Sequence, residues 1–183
     1  AFRTLLGHTG PIHDLCWSKS QLLLSASTDK TVRLWHTLRA QALRVFTHDA
    51  PITGVRFHPQ DDACFVSVAG AGPTRSRLRV WDVARGRVAR WVDLAADVGF
   101  SQDGSLLITG TSDGGLYFHE YVDGELRYNT HLDLKAQANV KAFRVTGVEC
   151  LGGDAAAVSG DGYVLVTATD SRIRLFNLRD KSL

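Results

Sequence analysis

Near the start of the chain, His8, Ser25, Asp29 and Trp35 are residues whose types could do chemistry together. Histidine, serine and aspartate make a hydrolase triad when the ring takes a proton from the hydroxyl and the carboxylate orients the ring. Such a nucleophile also needs an open site and donors for an oxyanion, and the sequence offers no motif for either. The same types serve equally as a buried chain of hydrogen bonds in which each polar group satisfies the next. Metal chemistry has little support. His13, His36, His58 and His131 read as surface or turn residues, and Cys16, Cys64 and Cys150 are dispersed without zinc-ligand spacing. The cysteines stand among strand residues and read as buried free thiols of a reducing compartment. Gly70-Ala71-Gly72-Pro73 lacks the Lys-Ser/Thr and the following helix of a phosphate loop. No cofactor is expected.

The elements that must position these residues are short strands. Leu22 to Ser25 is an apolar run, Thr28-Asp29-Lys30 is turn chemistry, and Thr31 to Trp35 alternates. Both faces of this hairpin carry bulk, which predicts burial between two layers. The pattern recurs. Val32-Arg33-Leu34-Trp35-His36 matches Leu78-Arg79-Val80-Trp81-Asp82 and Ile173-Arg174-Leu175-Phe176-Asn177, and more loosely Leu116-Tyr117-Phe118-His119-Glu120. Taking Trp35, Trp81, His119 and Phe176 as markers, the spacings are 46, 38 and 57 residues. An Asp stands six residues before the marker in three of the four units, at Asp29, Asp113 and Asp170. A period of about 40–45 residues built from short strands indicates a β-propeller.

On these residues the chain resembles the WD-repeat family over its whole length. The resemblance implies an all-β fold of about four four-stranded antiparallel blades, approximate units 1–41, 42–86, 87–125 and 126–183, as part of a seven-bladed ring. Phe2 to Leu5 would be an orphan outer strand d, followed by the Gly7-His8 pair. Ile12–Trp17, Leu22–Ser25, Val32–Trp35 and Ala42–Phe46 would be strands a to d of the first blade. The second blade would use Ile52–Phe57, Cys64–Val68, Leu78–Asp82 and Val88–Val92. The third would use Ala96–Phe100, Leu106–Thr109, Leu116–Tyr121 and Leu126–Leu132. Val145–Cys150, Tyr163–Thr167 and Ser171–Leu178 would make the fourth, with long connections at Asp133–Arg144 and Gly152–Gly162. Four units without closure would expose blade faces, so the chain reads as a piece of a longer propeller.

The resemblance also gives His8, Ser25, Asp29 and Trp35 a structural role, a chain of hydrogen bonds that locks blade to blade. His48, Ser67 and Trp81 would repeat it without the Asp, whose place is Ala71. Thr109 and Asp113 would keep part of it beside His119, and Asp170 part of it beside Val166 and Phe176.

Totals exclude other classes. The 183 residues are 44% hydrophobic with a net charge of +2 and no basic helix, so no nucleic-acid partner is expected. No stretch approaches the apolar length of a membrane span, and no signal peptide opens the sequence. In the family, the d–a and b–c connections open on one face that binds proteins. Both unusual insertions fall there, Ala69–Arg77 with Arg75 and Arg77, and Asp133–Arg144 with Lys135, Lys141 and Arg144. Thr28, Ser112 and Thr169, each just before a turn Asp, project near that face by resemblance. A basic rim would suit an acidic protein or anionic membrane headgroups.

A closer resemblance lies in LLLSASTDKTVRLWH, in RFHPQDD at Arg56–Asp62, in VTGVE at Val145–Glu149 and in DSRIRLFNLRDKSL at Asp170–Leu183. These blocks are similar to the Rab-GTPase-binding WD-repeat proteins of endosomes. The resemblance implies a non-enzymatic scaffold for membrane traffic, cytoplasmic and peripheral on endosomal or Golgi membranes, with a Rab-type small GTPase as partner. Two alternatives remain. Phe176-Asn177-Leu178-Arg179 is a loose form of the Trp-Asp-x-Arg of substrate receptors for cullin-type ubiquitin ligases, and a hydrolase on a propeller scaffold would use Ser25.

Overall fold

The computed structural model describes residues 4–70, 76–93, 95–122, 125–138, 144–151 and 163–177. The chain divides into two compact units, Ala1–Asp93 and Leu94–Leu183. In the first unit, β1 (Ile12–Trp17), β2 (Leu22–Ser27), β3 (Thr31–His36) and β4 (Gln41–Thr47) form one antiparallel sheet in sequence order. The strands β5 (Ile52–Phe57), β6 (Cys64–Gly70), β7 (Ser76–Asp82) and β8 (Arg87–Asp93) form a second sheet of the same kind. The second unit holds β9 (Ala95–Phe100), β10 (Leu106–Thr111), β11 (Gly115–Val122) and β12 (Glu125–Asp133) in one sheet. Its other sheet is β13 (Val145–Leu151), β14 (Tyr163–Ala168) and β15 (Ile173–Asn177). These meander sheets are propeller blades, the architecture the repeats imply.

Alternation explains why they stack. Leu24, Val32, Leu34 and Phe46 of the first blade are buried against Ile52, Val55, Phe57 and Phe65 of the second, with Trp81. The rings of Phe46 and Phe65 meet edge to face at 4.8 Å, and Phe65 stacks on Trp81 at 5.9 Å. The fourth blade packs on the third through Val145 and Val148, beside Ile108, Leu116 and Phe118. Gly110 permits this approach, because a Cβ there would meet Val145 Cγ1 at 2.3 Å. Gly104 supplies the left-handed corner of the Ser101–Ser105 turn at φ 77°.

One register repeats in all four blades. Ser25 pairs with Arg33, Ser67 with Arg79, Thr109 with Tyr117 and Val166 with Arg174. A bulge interrupts the pairing of strands a and b near the same end of each blade.

The structure departs from the expected elements in three places. Thr4 and Leu5 carry no strand, so an orphan outer strand does not form among the described residues. The Asp133–Arg144 connection is not wholly loop, for Leu134–Ala138 is a short helix, α1, started by Asp133 Oδ1 accepting the Ala136 N–H at 2.9 Å. Strand c of the fourth blade begins at Ile173 rather than Ser171, because Asp170 and Ser171 make the turn, with Ser171 at φ 63°. The Gly152–Gly162 loop lies outside the described residues.

Candidate protein-interaction site

In the first blade the four residues meet. Trp35 Nε1–H donates to Ser25 Oγ at 2.8 Å, and Ser25 Oγ lies 2.6 Å from His8 Nε2. His8 Nδ1 lies 2.8 Å from Asp29 Oδ2. Asp29 also accepts from the Thr9 and Thr31 amides and from the Thr31 hydroxyl. Burial works against ionisation of Asp29, yet bonds from Thr31, His8 and Thr9 outweigh it and hold the carboxyl far below its usual range. An ionised Asp29 can only accept, so His8 Nδ1 supplies the hydrogen of that bond. The His8 and Asp29 side chains are only 5% and 6% exposed, and Ser25 is buried and bonded on both sides. Ser25 is thus held between Trp35 and His8 within the blade.

The second blade keeps His48, Ser67 and Trp81. Trp81 Nε1–H donates to Ser67 Oγ at 2.9 Å, and Ser67 Oγ lies 2.8 Å from His48 Nε2. With no Asp at Ala71, His48 Nδ1 turns to the Phe46 carbonyl at 3.2 Å. Burial, helped by the Arg79 cation, pushes the His48 pKa down to about 4.

The last two blades do not carry the expected network. Thr109 Oγ1 and His119 Nδ1 are buried without a hydrogen-bond partner among the described residues. Asp113 is exposed and accepts from Thr111 instead. Two causes act together. No histidine stands between His58 and His119 in the sequence, and the imidazole of His119 is shorter than an indole. In the fourth blade Val166 has no hydroxyl to offer. Asp170 pairs with Arg174 through two bonds of 2.6 and 3.1 Å, and this guanidinium holds its carboxyl below the usual range.

A second lock was not singled out in the sequence. Asp14 on β1 accepts the Val55 amide of β5 at 2.8 Å and pairs with Arg56. Asp97 on β9 accepts the Val148 amide of β13 at 2.8 Å. Asp14 and Asp97 occupy one repeat position, as do Val55 and Val148. An acid in the middle of an apolar strand a was the available signal.

The d–a and b–c connections share one end of a blade. The Thr28, Gly70 and Thr169 amides donate to the carbonyls of Pro11, Pro51 and Arg144 at 2.9–3.0 Å. Thr28 is half-buried there, Ser112 likewise at its own turn, and Thr169 is exposed, its hydroxyl accepting the Arg144 amide at 3.1 Å. Lys135 is exposed on α1. Arg75 and Lys141 lie outside the described residues, as do Leu178 and Arg179 of the ligase-like motif.

Arg77 lies beside a feature that strand assignment alone passed over. Its guanidinium carbon stands 6.0 Å from the centre of the Trp91 ring, and its Nε donates to Asp93 Oδ1 at 2.7 Å. Register puts Trp91 opposite Arg79, whose Nη2 donates to Asp49 Oδ1 at 2.6 Å. Trp35 and Trp81 are core residues, whereas Trp91 is 62% exposed. A solvent-facing tryptophan between two arginines, with Asp49 and Asp93 at its margin, is the composition of a protein-binding hot spot.

The family model for the WD domain, G-beta repeat, matches residues 2–36 and 90–120, the first carrying the complete His8–Ser25–Trp35 lock. The chain belongs to the WD-repeat family. WD repeat-containing protein 44 of Xenopus laevis is 38% identical over 97% of this chain. An uncharacterized WD repeat-containing protein of Schizosaccharomyces pombe is 33% identical over 94% of it. The chain spans only 19% and 29% of the length of these two WD-repeat relatives. Among solved structures, the β-propeller domain of Cps50 (Swd1) from Myceliophteria thermophila aligns with a TM-score of 0.73 and 22% identity, covering 96% of this chain and 54% of that one. The computationally designed Ika4 protein aligns with a TM-score of 0.64 and 23% identity, covering 95% of each chain. Both share the propeller fold with this WD-repeat chain. Among the described residues no helix is long and apolar enough to cross a membrane.

Proposed function

We propose that this WD-repeat chain is a protein-interaction scaffold of membrane traffic whose partner is a Rab-type small GTPase. One observation carries the site: Trp91, exposed beside the Arg77–Asp93 pair at the b–c loop end of the second blade. Tryptophan and arginine dominate binding energy where they are found at interfaces. Thr28 in the same unit offers a further contact at a b–c connection; Lys135, Arg144 and Thr169 stand at connections of the other unit as separate candidate contacts, and peripheral contact with endosomal or Golgi membranes belongs to the same reading. The traffic role is supported by the blocks at Leu22–His36, Arg56–Asp62 and Val145–Glu149, which resemble those of the Rab-GTPase-binding WD-repeat proteins. The test is a binding panel of Rab-type GTPases loaded with GTP or GDP, against an unrelated small GTPase. Selective capture of one Rab-type protein supports the reading. Equal or absent capture across the panel removes the Rab partner.

A further inference from the structure

The other end of the first unit carries a separate surface. There the turn between β3 and β4 is a single 3-10 turn, Thr37–Arg39, and the turn between β7 and β8 runs from Val83 to Gly86. Leu38 is 66% exposed on the first turn, next to exposed Arg39. Arg85 and Arg87 are exposed on and after the second. Arg44 of β4 joins the two, its Nη1 donating to the carbonyls of Val83 and Ala84, the latter at 2.8 Å. Arg39 and Arg85 on the two turns, and Arg44 and Arg87 on the strands that follow them, thus accompany Leu38 at one end of the unit. The acids nearby are Asp82, paired with Arg85 at 2.9 Å, and Asp61 and Asp62 of the β5–β6 turn. Asp62 accepts the Lys19 and Ser20 amides and Asp61 the Ala63 amide, so all three acids serve turns rather than covering the arginines as a group.

We propose that this end of the first unit docks on an anionic bilayer, with Arg39, Arg44, Arg85 and Arg87 on lipid phosphates and Leu38 entering the headgroup layer. Guanidinium forks fit phosphate oxygens in pairs. The anionic leaflet attracts basic residues at about 1 kcal/mol each. The apolar residue decides between a membrane and an acidic protein. Leu38 stands alone among arginines, so it suits a layer that a single apolar side chain can enter while the guanidinium groups stay at the phosphates. The proposal deepens the membrane part of the reading above and uses none of the residues at Trp91.

Vesicle flotation of the full chain tests it, comparing phosphatidylcholine vesicles with vesicles containing phosphatidylserine at low and high salt. The wild type is expected to float only with the anionic vesicles, and less at high salt. The variant Arg39→Ser/Arg85→Ser/Arg87→Ser should lose roughly 100-fold in partitioning, as expected from about 1 kcal/mol per residue. Leu38→Ser should lose severalfold while keeping its salt dependence. Arg44 is left in place because it holds a turn, and circular dichroism checks that each variant is folded. Unchanged flotation of the folded triple variant overturns the proposal. So does wild-type binding to soluble poly-glutamate as tight as to anionic vesicles, which would make the surface an acidic-protein site. Loss of flotation with intact capture at Trp91 supports the proposal, whatever the identity of the protein partner.

Discussion

Asp97→Ala removes the acceptor that spans the third and fourth blades. β13 is an edge strand of its sheet, so one of its sides lacks a ladder partner, and the Val148 amide finds Asp97 Oδ2 at 2.8 Å instead. Val148 is fully buried, so the substitution leaves its N–H without water or partner. Hydrogen bonds to charged groups contribute about 1.5–3 kcal/mol, and a stranded buried donor costs about 1–3 kcal/mol. These describe the same event from two sides, so we expect about 2–3 kcal/mol of destabilisation. That lowers Tm by roughly 4–12 °C for a chain of this size. Among the described residues of this unit the expected blade lock does not form, with Thr109 Oγ1 and His119 Nδ1 lacking hydrogen-bond partners and Val166 in the serine position. Asp97→Asn keeps an oxygen acceptor and should recover at least half of the loss. Urea and thermal melts of both variants are the assay. A loss below about 0.5 kcal/mol for Asp97→Ala, the range of an ordinary surface change, or an Asn variant as unstable as the Ala variant, would refute the clasp.

Two further outcomes follow from the first lock and from its second copy. Asp29→Ala should cost about 1–3 kcal/mol, since it strands His8 and Thr31, and Asp113→Ala distinctly less, since Asp113 is exposed and serves Thr111; equal losses in urea melts would count against the lock. For His48, the folded pKa of about 4 lies below the ordinary 6.5, so the unfolded chain binds the extra proton between these values. Stability is therefore full above pH 6.5 and falls as pH drops toward 4, by roughly 3 kcal/mol in all. His48→Gln should flatten most of that slope, leaving the part due to His119, whose pKa burial also lowers. An unchanged slope in the variant would contradict the neutral His48.

Much of the fold is legible because strand chemistry is local. The apolar run at Leu22–Ser25, the Asp29 turn and the alternation of Thr31–Trp35 each name their own structure, and their recurrence names the blade. The first lock is legible for the same reason, as its residues sit at fixed places around one hairpin. What escaped depends on pairing between strands. Asp14 and Asp97 matter only once the bulge sets which amide of the next blade they face. Arg174 replaces the missing histidine because the hairpin folds it back on Asp170. Trp91 looks like any strand residue until the register turns it outward beside Arg77. The helix Leu134–Ala138 did leave a local sign, the capping Asp133, inside a stretch that reads as loop by its composition.

The proposed protein-binding surface is the Trp91 corner. It is tested by the dissociation constant of a captured Rab-type partner for the wild type against Arg77→Ser/Trp91→Ala. Asp93 and Arg77 are a solvent-facing pair, so the double variant should melt within about 0.5–1 kcal/mol of the wild type. Loss of a hot-spot residue of about 2 kcal/mol or more predicts affinity weakened about 30-fold or beyond. A folded double variant that binds its partner as tightly as the wild type would exclude the Trp91 corner as the binding surface.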